Sequence, residues 1–275
     1  MPELTNPRAE RVKAVRALAG RSARERTGRF LVEGPQAVRE AVRSRRVRDL
    51  YLTAESAARY PEIVHDAAGS GLVVQLASAE VLHAMSPDAQ QVVAVAETGQ
   101  TALPMLLDAS PRLVAVLAEV RDPGNAGAVI RVADAAGADA VVLTEASVDP
   151  YNPKVVRSSA GSLFHLPVLT GLSLPGVVAT LRAAGLQVLA ADAAGEHDLD
   201  DLIDAAAASE RSTGLPDLAR PTAWVFGNEA HGLGDADRDL ADAVVRIPIH
   251  GRAESLNLAT AAALCLYASA RSQQE

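Results

Sequence analysis

Three stretches of the chain set polar and glycine residues among apolar neighbours, where they are costly unless they have a task. The first is Arg121-Asp122-Pro123-Gly124-Asn125-Ala126-Gly127-Ala128-Val129-Ile130-Arg131, which joins an apolar run to a helical pattern. Its glycines permit a tight turn and close backbone approach. Arg131 stands one helical turn after Gly127, on the same face; among apolar neighbours it either reaches the surface or serves a site. The spacing Gly124-x-x-Gly127 is not the G-x-G-x-x-G of a dinucleotide turn, and no G-x-x-x-x-G-K-[ST] phosphate loop occurs. That spacing weakens the reading of a nicotinamide-dependent oxidoreductase.

The second stretch, Trp224 to Gly234, runs from a strand pattern into Gly227-Asn228-Glu229. It places the Glu229 carboxylate at a strand's C-terminal end, where open α/β sheets bind ligands; a capping or turn acid is the alternative. Gly227 would let the backbone approach a flat ligand. His231 is a candidate by residue type, though a lone turn histidine is more often a bystander. The third stretch, Ile247 to Ala261, includes Ser255, which suits a helix cap. Asn257 enters an otherwise apolar helical pattern, where a buried amide needs partners from a ligand or a neighbouring loop.

The elements that must hold these residues alternate. Helical spacing over Val12, Val15, Leu18 and Ala19, capped at Asn6-Pro7, precedes strands at Phe30–Val32, Leu50–Leu52, Leu72–Leu76 and Val92–Ala96. Helices follow Gly34-Pro35, span Ser56 to Ala68 and lie near Glu80. The pattern predicts a small N-terminal α/β domain over residues 1–100. A Pro- and Gly-bearing linker fits 101–111, and a second α/β domain fits 112–275. The latter has strands at Leu113–Leu117, Ala140–Leu143, Val188–Ala191, Ala223–Phe226 and Val244–Ile247, and helices over Ala128–Ala136 and from Leu256 to Ala270. The Asp-, Ala- and Ser-rich 197–220 segment reads as an exposed insertion.

Composition narrows the class. Forty-nine per cent hydrophobic and 22% charged residues suit a globular protein with a real core. No apolar run nears the roughly 20 residues of a membrane span, and the start MPELTNPRAER is no secretory signal. The single Cys265 excludes an internal disulfide and a multi-cysteine metal site. A cytoplasmic protein is expected. The net charge of −8 is unevenly divided: through Arg48 the chain carries 13 Lys/Arg against 5 Asp/Glu, and the rest 13 against 29. A basic end on an acidic body suggests docking to a polyanion, with a solvated helical face as the alternative. Arg8, Arg11, Lys13, Arg24, Arg26 and Arg29 are the phosphate-contact candidates of that end, with Arg157 on the second domain. The 3% aromatic content argues against extensive base stacking and for recognition of backbone and shape.

Taken together, the segments NAGAVIR, FGNEAHGL and IPIHGRAESLNLATAAAL resemble, in order and spacing, the three motifs of the SpoU/TrmH family of SPOUT RNA methyltransferases. YNPKVVRSSAGSLFHLPV is similar to that family's stretch between the first two motifs. The basic head, including GRFLVEGPQAV, resembles the ribosomal-protein-like substrate-binding domain that often precedes it.

The resemblance implies a C-terminal SPOUT α/β domain with a deep trefoil knot, an exception to un-knotted chains. It implies S-adenosylmethionine as cofactor, no metal, a homodimer that completes each site, and methylation of a ribose 2′-hydroxyl in RNA, ribosomal more than transfer. The motif matches carry over Asn125, Arg131, Glu229, Ser255 and Asn257 as site residues. They also carry over Ala190, Gly227, Asn228, Ile247, Leu256 and Asn257 as cofactor-lining positions. Guanidinium stays protonated in proteins, so Arg131 is read as orienting the hydroxyl, with Asn125 and Glu229 fixing Arg131 and its loop. An RNA-binding protein of the same fold without methyl transfer is the rival.

Overall fold

The β-branched runs of the N-terminal part form a four-stranded sheet of β1 (Arg29–Glu33), β2 (Val47–Leu52), β3 (Val74–Leu76) and β4 (Val92–Glu97), ordered β1-β4-β2-β3. β4 is antiparallel to β1 and β2, and β2 is parallel to β3. A computed structural model describes residues 3–99, 101–208 and 214–274. Its contacts divide the chain into two compact units, one of Met1–Gly99 with Asp149–His165, the other of Gln100–Val148 with Leu166–Glu275.

In the first unit, Leu31, Tyr51, Val93 and Val95 pack under Val12, Val15, Val81, Leu82 and Met85 from the helices Glu10–Ala17 and Ala79–Met85. The expected helix over Ser56–Ala68 is two helices, Ala54–Arg59 and Pro61–Gly69. Tyr60 leaves the helical region because the proline ring after it disfavours that conformation. The first helix is entered at Ala9 rather than capped by Asn6, whose side chain instead accepts the Arg8 N–H. A helix Arg21–Thr27 follows that the sequence patterning does not signal.

The Asp149–His165 stretch belongs to this unit through specific contacts. Phe30 meets the rings of Tyr151 and Phe164 at centroid distances of 4.6 and 6.0 Å, and the Arg46 guanidinium lies over Phe30 and Phe164. Arg24, 4% exposed, donates through Nε and Nη2 to Asp149 Oδ2 at 2.9 and 2.7 Å, and through Nη1 to the carbonyls of Leu18 and Ala19. Arg157 pairs with the buried Glu33, which also accepts from Ser86, and with Asp88 at 2.9 Å. Two expected phosphate contacts are thereby corrected. Arg24 is held by Asp149, since a buried charge needs a partner, and the half-buried Arg157 is engaged by Glu33 and Asp88.

In the second unit, β5 (Leu113–Leu117), β6 (Ala140–Thr144), β7 (Val168–Leu172), β8 (Gln187–Ala191), β9 (His197–Asp198), β10 (Thr222–Phe226) and β11 (Ala243–Arg246) form one sheet, ordered β7-β6-β5-β10-β8-β11-β9. Every pairing is parallel. Helices cover both faces, which is why the central strands are continuously apolar. Leu174–Ala183 packs on one face with Leu106 and Leu233, and the C-terminal helix Leu258–Gln274 lies on the other against Pro123–Ala135. Trp224 Nε1 donates to the buried Ser269 Oγ at 2.9 Å, fixing the C-terminal helix to β10. Cys265 is fully buried on that helix, and desolvation pushes its thiol up and out of reactive range.

Sequence patterning misses several elements here. Residues 101–111 contain a helix, Leu103–Asp108, whose Leu106 is in the core. The 197–220 segment is no exposed insertion where it is described. It forms β9 and a helix, Leu199–Ala207, that packs on the C-terminal helix through buried Leu199 and Leu202; residues 209–213 lie outside the described residues. Among the described residues no helix is long and apolar enough to cross a membrane.

Removing the carboxylate from a buried ion pair leaves an uncompensated charge, at a cost of about 3–5 kcal/mol. Asp149→Ala is expected to lower stability towards that range in urea unfolding followed by far-UV circular dichroism. A loss below about 1 kcal/mol would show that the Arg24–Asp149 pair does not hold the 149–165 stretch to the helix Arg21–Thr27.

Candidate active site

Four loops of the second unit converge at the C-terminal ends of parallel strands. The first follows β5. Asp122 caps the helix Pro123–Ala135, its Oδ1 accepting the Asn125 N–H at 2.7 Å. Gly124 and Gly127 therefore lie within the helix, not in a turn preceding it, and the helix starts five residues before the expected Ala128. Asn125 in its first turn faces the sheet ends.

The loop after β10 folds back on itself. Asn228 and Gly232 exchange backbone hydrogen bonds, at 3.1 Å for the Asn228 N–H and 2.8 Å for the Gly232 N–H. Asn228 Oδ1 accepts the Ala230 N–H, and its Nδ2 donates to the Glu119 carbonyl at 2.8 Å. A Cβ at position 227 would stand 2.4 Å from the Gly232 carbonyl carbon and 2.6 Å from the Leu233 nitrogen. Gly227 is thus demanded by its own loop crossing over it, rather than by approach of a flat ligand. Glu229 sits at the hairpin's exposed tip beside Ala230 and His231.

The third loop follows β11. The C-terminal helix begins at Leu258, two residues later than expected, and its cap is Asn257 rather than Ser255. Asn257 Oδ1 accepts the N–H groups of Ala259 and Thr260 at 2.9 and 3.4 Å. Asn257 is consequently exposed, not a buried amide in mid-helix. Its other side-chain atom links the loops: Nδ2 donates to Asn125 Oδ1 at 2.9 Å, and Asn125 Nδ2 donates to Glu229 Oε1 at 3.3 Å. One relay of two amides and a carboxylate thus joins the three motif segments.

These loops, with the end of β8, enclose a cavity of about 510 Å³. Of the sequence-predicted residues, Asn125, Gly227, Asn228, Glu229, Ile247, Ser255, Leu256 and Asn257 line it. Ala190 does not: it is fully buried within β8, and Ala191, at the strand's last position, lines the cavity instead. Arg131 is also absent from the lining. It is exposed, and it forms no hydrogen bond or ion pair among the described residues. Six residues separate it from Asn125, which on a helix of 3.6 residues per turn turns the two about 120° apart.

Asp192, Ile249 and Glu254 line the cavity and escaped the sequence reading. The signal for Asp192 was available, since it ends an apolar strand run as Glu229 follows one. The wall combines apolar Phe226, Ile247, Leu256 and Leu258 with the carboxylates of Asp192, Glu229 and Glu254, and no lysine or arginine contributes to it. Such a wall accepts a flat, partly apolar ligand with positive charge. A second depression, of about 520 Å³, lies at the opposite strand ends beside Arg182, Gln187 and Asp242. Its buried amide, Gln187, donates through Nε2 to the Asp217 carbonyl and to Thr222 Oγ1, and Arg182 pairs with Asp242.

The chain matches the SpoU rRNA Methylase family over residues 112–267 and an MRM3-like substrate binding domain over 9–97. It is 33% identical to the 23S rRNA (guanosine(2553)-2′-O)-methyltransferase RlmP of Bacillus subtilis, over 97% of this chain and 98% of that one. Among solved structures, an AdoMet-bound rRNA methyltransferase from Sinorhizobium meliloti superposes with a TM-score of 0.80 at 30% identity, covering 98% of this chain and 97% of the other. The SpoU methyltransferase AviRb from Streptomyces viridochromogenes, solved with AdoMet, gives 0.78 at 33% identity, over 96% and 98%. This chain belongs to the SpoU rRNA methylase family.

The two functions of Asn257 are separable. Asn257→Asp keeps the capping oxygen, while Asn257→Ala also loses the cap, at about 1 kcal/mol. Both remove the donor to Asn125 and are expected to slow methyl transfer about tenfold, the worth of one such hydrogen bond. Thermal melts should separate the two variants where turnover does not. Full activity in Asn257→Asp would remove the relay from the working site.

Proposed function

We propose that this chain transfers a methyl group from S-adenosylmethionine to a ribose 2′-hydroxyl of ribosomal RNA, acting as a homodimer in the cytoplasm. The observation that carries the reading is the relay Asn257–Asn125–Glu229 at the mouth of an acidic, partly apolar cavity of about 510 Å³, a volume within the usual range for small-ligand sites. The residues present fit that cofactor. Apolar Ile247, Leu256 and Leu258 suit its adenosine, and Asp192, Glu229 and Glu254 suit its cationic groups. When bound, the cofactor supplies an electrophilic methyl on a positively charged sulfur; the protein's part is to bind and orient.

Holding the acceptor oxygen in line with that methyl can supply up to roughly 7–11 kcal/mol of the barrier. In this reading Arg131 aims the hydroxyl and stabilises the charge that develops on its oxygen. Because Arg131 points away from Asn125 on their shared helix, it serves the cavity of the partner subunit. Ser255, which lines the cavity, is read as holding the substrate side of the pocket. Exposed Leu264 and Tyr267, on the helix that packs against that of Arg131, give the dimer an apolar face. The knot is part of the same proposal. A Cβ on Gly195 would stand 2.5 Å from the Arg246 nitrogen, and so close a backbone contact with β11 suits one segment threaded past another.

The substrate-binding role falls to the first unit, where Arg8, Arg11, Lys13, Arg26 and Arg29 remain after Arg24 and Arg157 are set aside. Arg8, Arg11, Lys13 and Arg26 are exposed. Replacing Arg8, Arg11 and Lys13 by alanine is expected to flatten the dependence of log affinity on log salt by roughly 0.7–0.9 per residue lost. An unchanged slope would place RNA docking elsewhere.

Methyl transfer is tested with labelled S-adenosylmethionine and ribosomal RNA, followed by mapping of ribose methylation; cofactor binding without transfer would favour the rival RNA-binding reading. Subunit sharing is tested by mixing Arg131→Ala protein with Asn257→Ala protein, which alone keeps about a tenth of wild-type turnover. Restoration to about a quarter of wild-type activity is expected, since half the dimers are mixed and each carries one intact site. No recovery after verified exchange would place Arg131 in its own subunit's site.

A further inference from the structure

The loop after β10 is tied at both ends to the strands that flank β10. At its start, Asn228 donates to the Glu119 carbonyl, just beyond β5. At its end, both backbone groups of Leu233 are held. The Leu233 N–H donates to Asp192 Oδ2 at 3.4 Å, beyond β8, and its carbonyl accepts from Arg238 Nη1 at 2.8 Å. The same Nη1 lies 3.5 Å from Asp192 Oδ1, so the two side chains that grip Leu233 also pair with each other. Arg238 is held from behind by Asp235.

Asp192 is itself rigidly set. Its Oδ1 accepts the Ala194 N–H at 2.9 Å, and its own N–H donates to the Val245 carbonyl at 3.1 Å. Its side chain is 12% exposed, at the cavity wall. Gly232 has φ +65°, and a Cβ there would come within 3.2 Å of Asp192 Oδ2. Gly227 already lies beneath Gly232, leaving the hairpin no slack between β10 and the carboxylate. Burial alone would keep Leu233 in the core, but it would not dictate where the Glu229 tip stands.

We propose that Asp192 and Arg238 are positioning residues: a charged clamp on Leu233 that fixes the 227–233 hairpin, and through it Glu229, against the cofactor cavity. The inference rests on the methyltransferase reading above. Arg238 does not line the cavity, so an effect of its substitution on cofactor binding reaches the cavity through Asp192 and the hairpin that the pair holds. A loosened hairpin populates the binding-competent form less, and apparent affinity falls by that fraction.

The test uses full-length protein and S-adenosylhomocysteine, which lacks the sulfonium charge, so that attraction between a freed Asp192 and a cationic sulfur does not mask the effect. Arg238→Gln is expected to weaken its binding about tenfold by calorimetry. Amide exchange over 227–233 should speed up, with RNA affinity unchanged. Asp192→Asn should do the same, and the double variant should be little worse than either single one, as for residues acting as a unit. Unchanged product affinity and exchange in both single variants would overturn the clamp, as would full additivity. Wild-type protein that fails to bind S-adenosylhomocysteine would instead overturn the methyltransferase reading beneath it.

Discussion

Strand β10 lies between β5 and β8 although it follows both in the chain, and the site takes its shape from that insertion. A strand added late between two earlier ones has its C-terminal end boxed in by their outgoing segments. The loop leaving β10 cannot swing away. It must turn back over Gly227, anchoring to Glu119 on the β5 side and Asp192 on the β8 side. The β11 loop then crosses beyond β8 and returns Asn257 to Asn125. Parallel pairing throughout aims all these ends the same way, so the backbone produces the convergence before any side chain refines it.

Charge is divided to match. The cavity wall is acidic, with Asp192, Glu229 and Glu254 and no cation, whereas the exposed arginines and lysine cluster at the start of the chain. A cationic small molecule and a polyanionic macromolecule demand opposite fields, and one surface cannot offer both. Placing them on separate units removes the conflict, and the net charge of −8 is then an average over two opposed requirements. Within the basic unit not every arginine is free. Arg24 and Arg157 join Asp149 and Glu33 in holding the 149–165 stretch to the helix Arg21–Thr27 and to β1. That stretch is encoded between strands of the other unit, so neither unit is a continuous segment of the sequence.

Much of the site was legible because strand-end logic is local. An apolar run ending in Gly-Asn-Glu announces a carboxylate at a sheet's rim, and the three motif segments were readable by type and spacing. What was not legible depended on long-range contacts. Asn257 was expected in mid-helix because its neighbours are apolar, yet Asn125, 132 residues away in sequence, and the cap position together explain it. Leu199 and Leu202 are buried on a helix that packs against the C-terminal helix, which their Asp- and Ala-rich surroundings conceal. Arg24 reads as surface charge until its partner Asp149, 125 residues on, is in place. Ala190 and Ala191 differ only in which of them ends the strand, and spacing does not settle a boundary to one residue.

Arg131 is where helix geometry constrains the chemistry most. The helix Pro123–Ala135 presents Asn125 to its own cavity and, about 120° around, presents Arg131 to the outside. A guanidinium with no hydrogen bond or ion pair among the described residues is not locked as a structural pair, as Arg24 and Arg157 are. Its planar fork is left to engage an oxygen supplied from elsewhere, and planarity distinguishes that task from one a lysine performs. Under the proposed function a second copy of the chain brings the fork to a cavity, so one short helix would both define a site and hand over the group that completes its neighbour's. Assembly and chemistry would then be coupled through a single element, and a monomer would hold the cofactor without being able to aim the acceptor at it.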